Sequence, residues 1–480
     1  MSRIGLSGWT WLGAALVMAP SLALGQDAER PRYTPIPSEY GYLQENEALA
    51  KAANDPDRAV VRNHAWNLWA GVMQPLDPGD GNSWPIWFSW QTTHQAFSVS
   101  GGPPGPVGAQ PRRTPAPASH PELAAAKPDL GADVPVNTPQ PQYPVPDYVI
   151  KTYPGGVTKA KDGSYSVNDG DYFVNNGDIM IAVESLSQAA FDDIRDRKLY
   201  LKSTLDKALA DGKRMIELPR EYVSTKLMYW PVHKDGLTPL PVWTENFPDF
   251  YAGYAGYELW NSVVAIDPAA KAGGKQVDVS YLYGVKTAEG IDIPPQHRRA
   301  DVVPIDRFYH HQVTEQDWKM FSDADKAILN AASLWLTDKP FGVGDYLVTV
   351  AAHVNTKEID SWTLQSVWWS LTPGEGPYAQ NRPRLPQAVG PWDQYLMTEA
   401  YAYEPVAQGD LPKSVNPYIE GVTHPIATSC RNCHVRGGIG KTGYQTPECY
   451  GLLTPLTPES SCFTGALLTD YTWIIPDRAN

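Results

Sequence analysis

The run Cys430-Arg431-Asn432-Cys433-His434 sets two thiols and an imidazole within five residues. Thiols at this spacing lie one helical turn apart, so each can add to one vinyl group of a haem. The histidine that follows directly can then take the iron from below. C-x-x-C-H is the spacing of thioether haem attachment, so Cys430 and Cys433 are expected to be the covalent anchors and His434 the proximal iron ligand. The chain has four cysteines, and the other two, Cys449 and Cys462, complete a C-x2-C-x15-C-x12-C array that would also suit zinc. The histidine next to Cys433, together with an export signal, favours haem c over zinc. Cys449 and Cys462 are then left to bridge each other across a short loop.

Only 46 residues follow His434, and they contain neither methionine nor histidine. A sixth iron ligand must therefore come from upstream or be absent. The distinction matters chemically, because an iron closed by histidine and methionine passes electrons, whereas an open one binds small ligands such as oxygen or peroxide. The first upstream candidate is His353, which ends the apolar run 346–352 and is followed by Asn355, Lys357 and Glu358. His353, Lys357 and Glu358 could together furnish ligand, proton donor and base; the plainer alternative is a core histidine followed by a solvated turn. His64, His94 and His233 have aromatic or apolar neighbours and suit core positions. Adjacent His310 and His311 would point to opposite faces of a strand, which argues against a metal pair and for a surface position. Met320 and Met397 follow aromatic residues and could cap a haem, although gap-filling is the ordinary role of methionine. His424, Lys441, Tyr444, Tyr450 and Tyr471 lie close enough in sequence to join such a site.

Residues 1–25 have the form of a secretory signal, with Arg3, an apolar stretch over 11–18 and small residues at 23–25. Export to a bacterial periplasm agrees with thioether attachment and with a disulfide. No later stretch is long enough to span a membrane. A formal charge of −14 argues against nucleic acid or an anionic membrane surface as partner. No phosphate-binding loop, H-E-x-x-H, G-x-S-x-G or dinucleotide fingerprint occurs.

The close of the chain resembles the c-type cytochrome superfamily through Cys430, Cys433 and His434. It is also similar to a group of large periplasmic single-haem proteins of poorly characterised role. That likeness rests on Asn416-Pro417-Tyr418-Ile419-Glu420, on Thr469-Asp470-Tyr471-Thr472-Trp473, and on 353–358 with Trp362, Trp368 and Trp369. The resemblance implies a covalent haem and transfers no specific activity.

At 480 residues the chain is far longer than a haem module requires, and its 17 tryptophans and 26 tyrosines suit a large core or an aromatic-walled site. The expected organisation is a tether over 26–60, a body over 61–415 with a Pro-rich excursion at 101–147, and a haem segment over 416–480. Helical spacing spans 179–209 and 314–336, while 222–232, 277–285 and 346–354 read as strands. The fold class is α+β: a large mixed, aromatic-rich body with a small, mostly helical C-terminal segment. The function that follows is a haem c oxidoreductase acting on a small substrate, apolar or aromatic. The alternative is an electron-transfer protein whose body docks a periplasmic redox partner.

Overall fold

The computed structural model describes residues 31–55, 57–99, 141–244, 257, 260–269, 273–287, 289–401, 414, 416–419, 430–440, 443–444 and 456–480. Its centre is an antiparallel sheet in the order Gln91–Thr92, Ile181–Leu186, Val223–Val232, Tyr346–Thr356, Thr363–Trp369 and Tyr395–Ala400. A seventh short strand, His310–Gln312, pairs beside the start of Tyr346–Thr356. A second sheet joins Thr238–Pro241, Val263–Asp267, Gln296–Pro304 and Gln276–Tyr281. Mixed helices and sheets of this kind make the protein α+β.

Alternation along the central strands sorts side chains to two faces. Val183, Leu227, Ala352, Val367 and Met397 stand side by side in register and face the larger apolar core with the helices Ala59–Val72 and Asp323–Thr337. That core is built largely from aromatics. Trp66, Trp69, Trp87, Trp90, Trp230, Trp368 and Trp369 are fully buried. The strand Tyr346–Thr356 carries a bulge: Thr349 pairs with Tyr229 and Ala351 with Met228, leaving Val350 as an extra residue.

Several sequence expectations are corrected. Residues 179–209 are not one helical stretch. Ile181–Leu186 is a buried strand, followed by helices Gln188–Asp196 and Lys202–Ala210; a fully buried strand has no alternation to separate it from a buried helix. The 314–336 segment is two helices, Glu315–Met320 and Asp323–Thr337, each opened by its own capping box. The described part of the 26–60 tether belongs to the body, because Tyr40, Leu49 and Ala53 are buried in the larger core. The described residues of the C-terminal segment mix short helices and strands. Besides the short helices Cys430–His434 and Ile474–Arg478, it forms a small sheet from Gly438–Gly440, Gly443–Tyr444 and Leu467–Leu468. Its described residues pack on the body. Cys430, Val435, Ile439, Leu467 and Ile475 share a second apolar core with Phe97, Leu186, Ile194, Leu205, Tyr222 and Leu364 of the body. Residues 1–25 and most of the Pro-rich excursion lie outside the described residues.

A buried charge cluster ties the end of the chain to the sheet. Arg478 bonds Glu184 Oε2 at 3.0 Å and Asp169 Oδ2 at 2.6 Å, while Lys226 lies 3.2 Å from Glu184 Oε1. Burial by itself would raise the Glu184 pKa, but Arg478 and Lys226 outweigh it and hold the group at about 2. A carboxylate depressed on folding contributes stability above its unfolded pKa and loses it as pH falls toward the folded value. Stability in urea should therefore decline between about pH 5 and pH 2, with on the order of 3 kcal/mol coming from this group. Glu184→Gln should make that decline shallower while lowering stability at neutral pH, and urea melts across this range would check both effects.

Candidate functional site

The helix Cys430–His434 is a single turn held at both ends. Cys430 is nearly buried, and its backbone N–H and its thiol both donate to Ser414 O. The Arg431 guanidinium reaches into the body and donates to the carbonyls of Ser361 and Tyr401 at 2.9 and 2.7 Å. Behind the helix, Gly437 permits a close chain crossing: a Cβ there would stand 2.9 Å from Thr472 O. Thr469 N–H donates to Gly437 O across the same crossing.

This crossing brings the Tyr471 carbonyl to His434. The imidazole Nδ1 lies 2.7 Å from Tyr471 O. A carbonyl can only accept, so Nδ1 carries the proton; in the neutral ring this is the tautomer a histidine needs to bind iron through Nε2. Cys430 and Cys433 stand outside any disulfide, whereas Cys462 is disulfide-bonded. Cys449, the cysteine left to pair with it, lies outside the described residues. A sulfur held in a disulfide offers no thiolate, so the four-cysteine zinc array is overturned. The donor set of two thiols on one turn and an oriented imidazole fits haem c.

The three upstream candidates do not form one constellation. His353 stands in a continuous row across the central sheet, Glu184–Lys226–His353–Ser366–Thr398, each residue in register with the next. Such neighbours project from the same face. On that face the next row in one direction contains Leu186, Asn355, Leu364 and Ala400. Leu186, Leu364 and Ala400 belong to the core that also holds Cys430. The next row in the other direction contains Met228, Trp368 and Leu396 of the larger core. His353 therefore sits in a polar band between two apolar regions, on the side of the sheet that carries the C-x-x-C-H helix.

Lys357 and Glu358 part company after this band. Lys357 donates to Asp470 Oδ1 at 2.8 Å and to Asp360 O at 2.9 Å. Glu358 is wholly enclosed elsewhere, accepting from Gln44 N and Thr356 Oγ1 and lying 3.3 Å from His64 Nε2. His64 Nδ1 in turn meets the Tyr401 hydroxyl at 2.7 Å. Lys357 and Glu358 are thus each engaged by buried partners at separate places, and His353 is the one of the three that remains in the polar band.

Other candidates fall into place as packing. His311 is buried rather than on the surface, stacked on Trp84 and 2.9 Å from Asp317. His233 meets Thr337 and Asp345, and His94 faces Asp171. Met397 faces the larger core and Met320 packs against it, so neither lies with the second core. Met215 does pack there, beside a groove of about 560 Å³ that it lines with Arg197, Lys213, Arg214 and Glu217. His424, Lys441 and Tyr450 lie outside the described residues. Among the described residues, no group of three or more His, Cys, Asp or Glu is arranged to hold a metal ion.

Sequence reasoning missed Asp470 as the partner of Lys357 and Tyr471 as the acceptor for His434. It also missed Lys226 and Glu184 as neighbours of His353. Only the pairing of distant strands reveals those neighbours.

Comparison with protein-family models, with curated proteins and with solved structures finds no match.

The disulfide generates a test. Mass spectrometry of a non-reduced digest should link the Cys449 and Cys462 peptides. Cys462→Ser should lower stability by about 3 kcal/mol, the value expected for a loop of this length. A Cys430–Cys433 linkage in the haem-loaded protein would contradict the assignment.

Proposed function

We propose that the protein is an exported mono-haem c-type cytochrome that works as an oxidoreductase, with thioethers at Cys430 and Cys433 and His434 as proximal iron ligand. The observation that carries this reading is the 2.7 Å bond from His434 Nδ1 to Tyr471 O. It fixes the tautomer and ring plane of a histidine that directly follows two reduced cysteines on one helical turn, an arrangement that packing alone does not call for. When bound, haem would supply one-electron chemistry and an iron able to bind a small ligand.

The chain's own residues divide the remaining work. Cys430 and Arg431 fasten the helix to the body. His353 contributes the imidazole of the polar band, a group able to ligate iron or to relay a proton. The reading includes a signal peptide over 1–25 and a periplasmic location, where thioethers form and a disulfide persists. It also includes a small apolar or aromatic substrate and a redox partner complementary to an acidic chain. No helix among the described residues is long and apolar enough to cross a membrane.

The test is the full chain made with the haem-maturation machinery. Wild type should gain the mass of one haem, and the Cys430→Ala/Cys433→Ala double variant should lose it. The ferrous and ferric spectra should respond to carbon monoxide and peroxide, and His353→Ala should alter that response. A six-coordinate spectrum that opens to carbon monoxide only in His353→Ala would make His353 the sixth ligand and favour electron transfer. Wild type without covalent haem would overturn the proposal.

A further inference from the structure

Asp470 and Tyr471 both have left-handed backbone conformations, with φ of +51° and +62°. L-residues seldom adopt such values, and two in succession need surroundings that impose them. The surroundings here converge on the Asp470 carboxylate. Oδ1 accepts from Lys357 Nζ at 2.8 Å and from Trp362 Nε1 at 3.1 Å, and Oδ2 accepts from Leu218 N at 2.9 Å. Trp362 is itself left-handed, at φ +63°. The turn is closed by Thr469 Oγ1 donating to Thr472 O and by Thr472 N–H donating to Thr469 O. Its product is the direction of one carbonyl, that of Tyr471, on His434.

We propose that Lys357 and Asp470 are positioning residues for the proximal histidine: their buried ion pair holds the 470–471 turn, and the turn aims the Tyr471 carbonyl at His434 Nδ1. The inference rests on the haem reading above. Donation from Nδ1–H raises the basicity of the opposite ring nitrogen, so the pair makes His434 a stronger donor to iron and lowers the reduction potential.

The experiment compares two charge-neutral deletions in the haem-loaded full chain. Lys357→Met/Asp470→Asn removes the pair behind the turn. Glu184→Gln/Arg478→Met removes a buried pair that fastens the same segment without touching the turn. Both should lower thermal stability. Only the first should raise the midpoint potential, and Lys357→Arg should keep the wild-type potential. Should the first double variant fail to accumulate, Trp362→Phe removes one bond to Asp470 without changing charge and should shift the potential the same way. Potentials of the Lys357→Met/Asp470→Asn or Trp362→Phe protein equal to wild type would overturn the inference while leaving haem binding intact. Wild type without covalent haem would remove both readings.

Discussion

The Asp470 carboxylate is almost wholly enclosed, and the way it is satisfied decides how the end of the chain meets the body. A buried carboxylate is costly unless paired and hydrogen-bonded. Here one lysine from the end of the His353 strand, one indole from the next loop and one backbone N–H from residue 218 share the load. These donors come from separated parts of the body, so the turn at 470–471 has its full set of bonds only where those parts are packed together. Removing either member of such a pair typically costs about 3–5 kcal/mol, because the other is left buried and uncompensated. The acceptor for His434, the Tyr471 carbonyl, thus belongs to a turn whose neighbouring carboxylate is bonded to the body.

A second contact set works in parallel. Arg478 places a guanidinium between Glu184 and Asp169, and Arg431 places another on two backbone carbonyls at the strand ends. Burial would lower the Arg478 pKa, but the two carboxylates outweigh it and raise it. The second apolar core lies between these polar anchors, and it is shared between body and C-terminal segment. The segment is therefore an integral layer over one face of the sheet.

How much of this was legible beforehand follows from the range over which each signal acts. Cys430, Cys433 and His434 fall within five consecutive residues with a fixed chemical logic, so their spacing alone defined a candidate. The strand 346–354 could be read from a local apolar run, and its observed extent is Tyr346–Thr356. The failures were of longer range. Lys357 and Glu358 were grouped with His353 because one strand delivers all three within six residues. Adjacency at a strand end sends side chains to opposite faces, one to Asp470 and the other to His64. Ile181–Leu186 is buried on both faces and lacked the alternation that marks a strand. His311 looked exposed because its partner, Asp317, lies across a turn, and Trp84 comes from a different part of the chain. The Pro-rich stretch and the signal-like segment were read from composition, and they fall largely outside the described residues.

The bulge at Val350 has a bearing on what this strand can tolerate over evolutionary time. Because of the extra residue, Val348 and Ala351 face the same side although they are three apart, and the parity of the strand changes midway. Val348 therefore stays in register with Trp230 while His353 enters the polar band. Exchanging Val350 for another apolar residue of similar volume preserves this arrangement. Deleting it would join Thr349 to Ala351, whose partners Tyr229 and Met228 are themselves adjacent, and would leave a regular ladder with His353 still opposite Lys226. The strand is thus open to a change of length at this one position, whereas a deletion within 351–356, where the pairing runs without a break on both sides, would turn the residues beyond it to the opposite face.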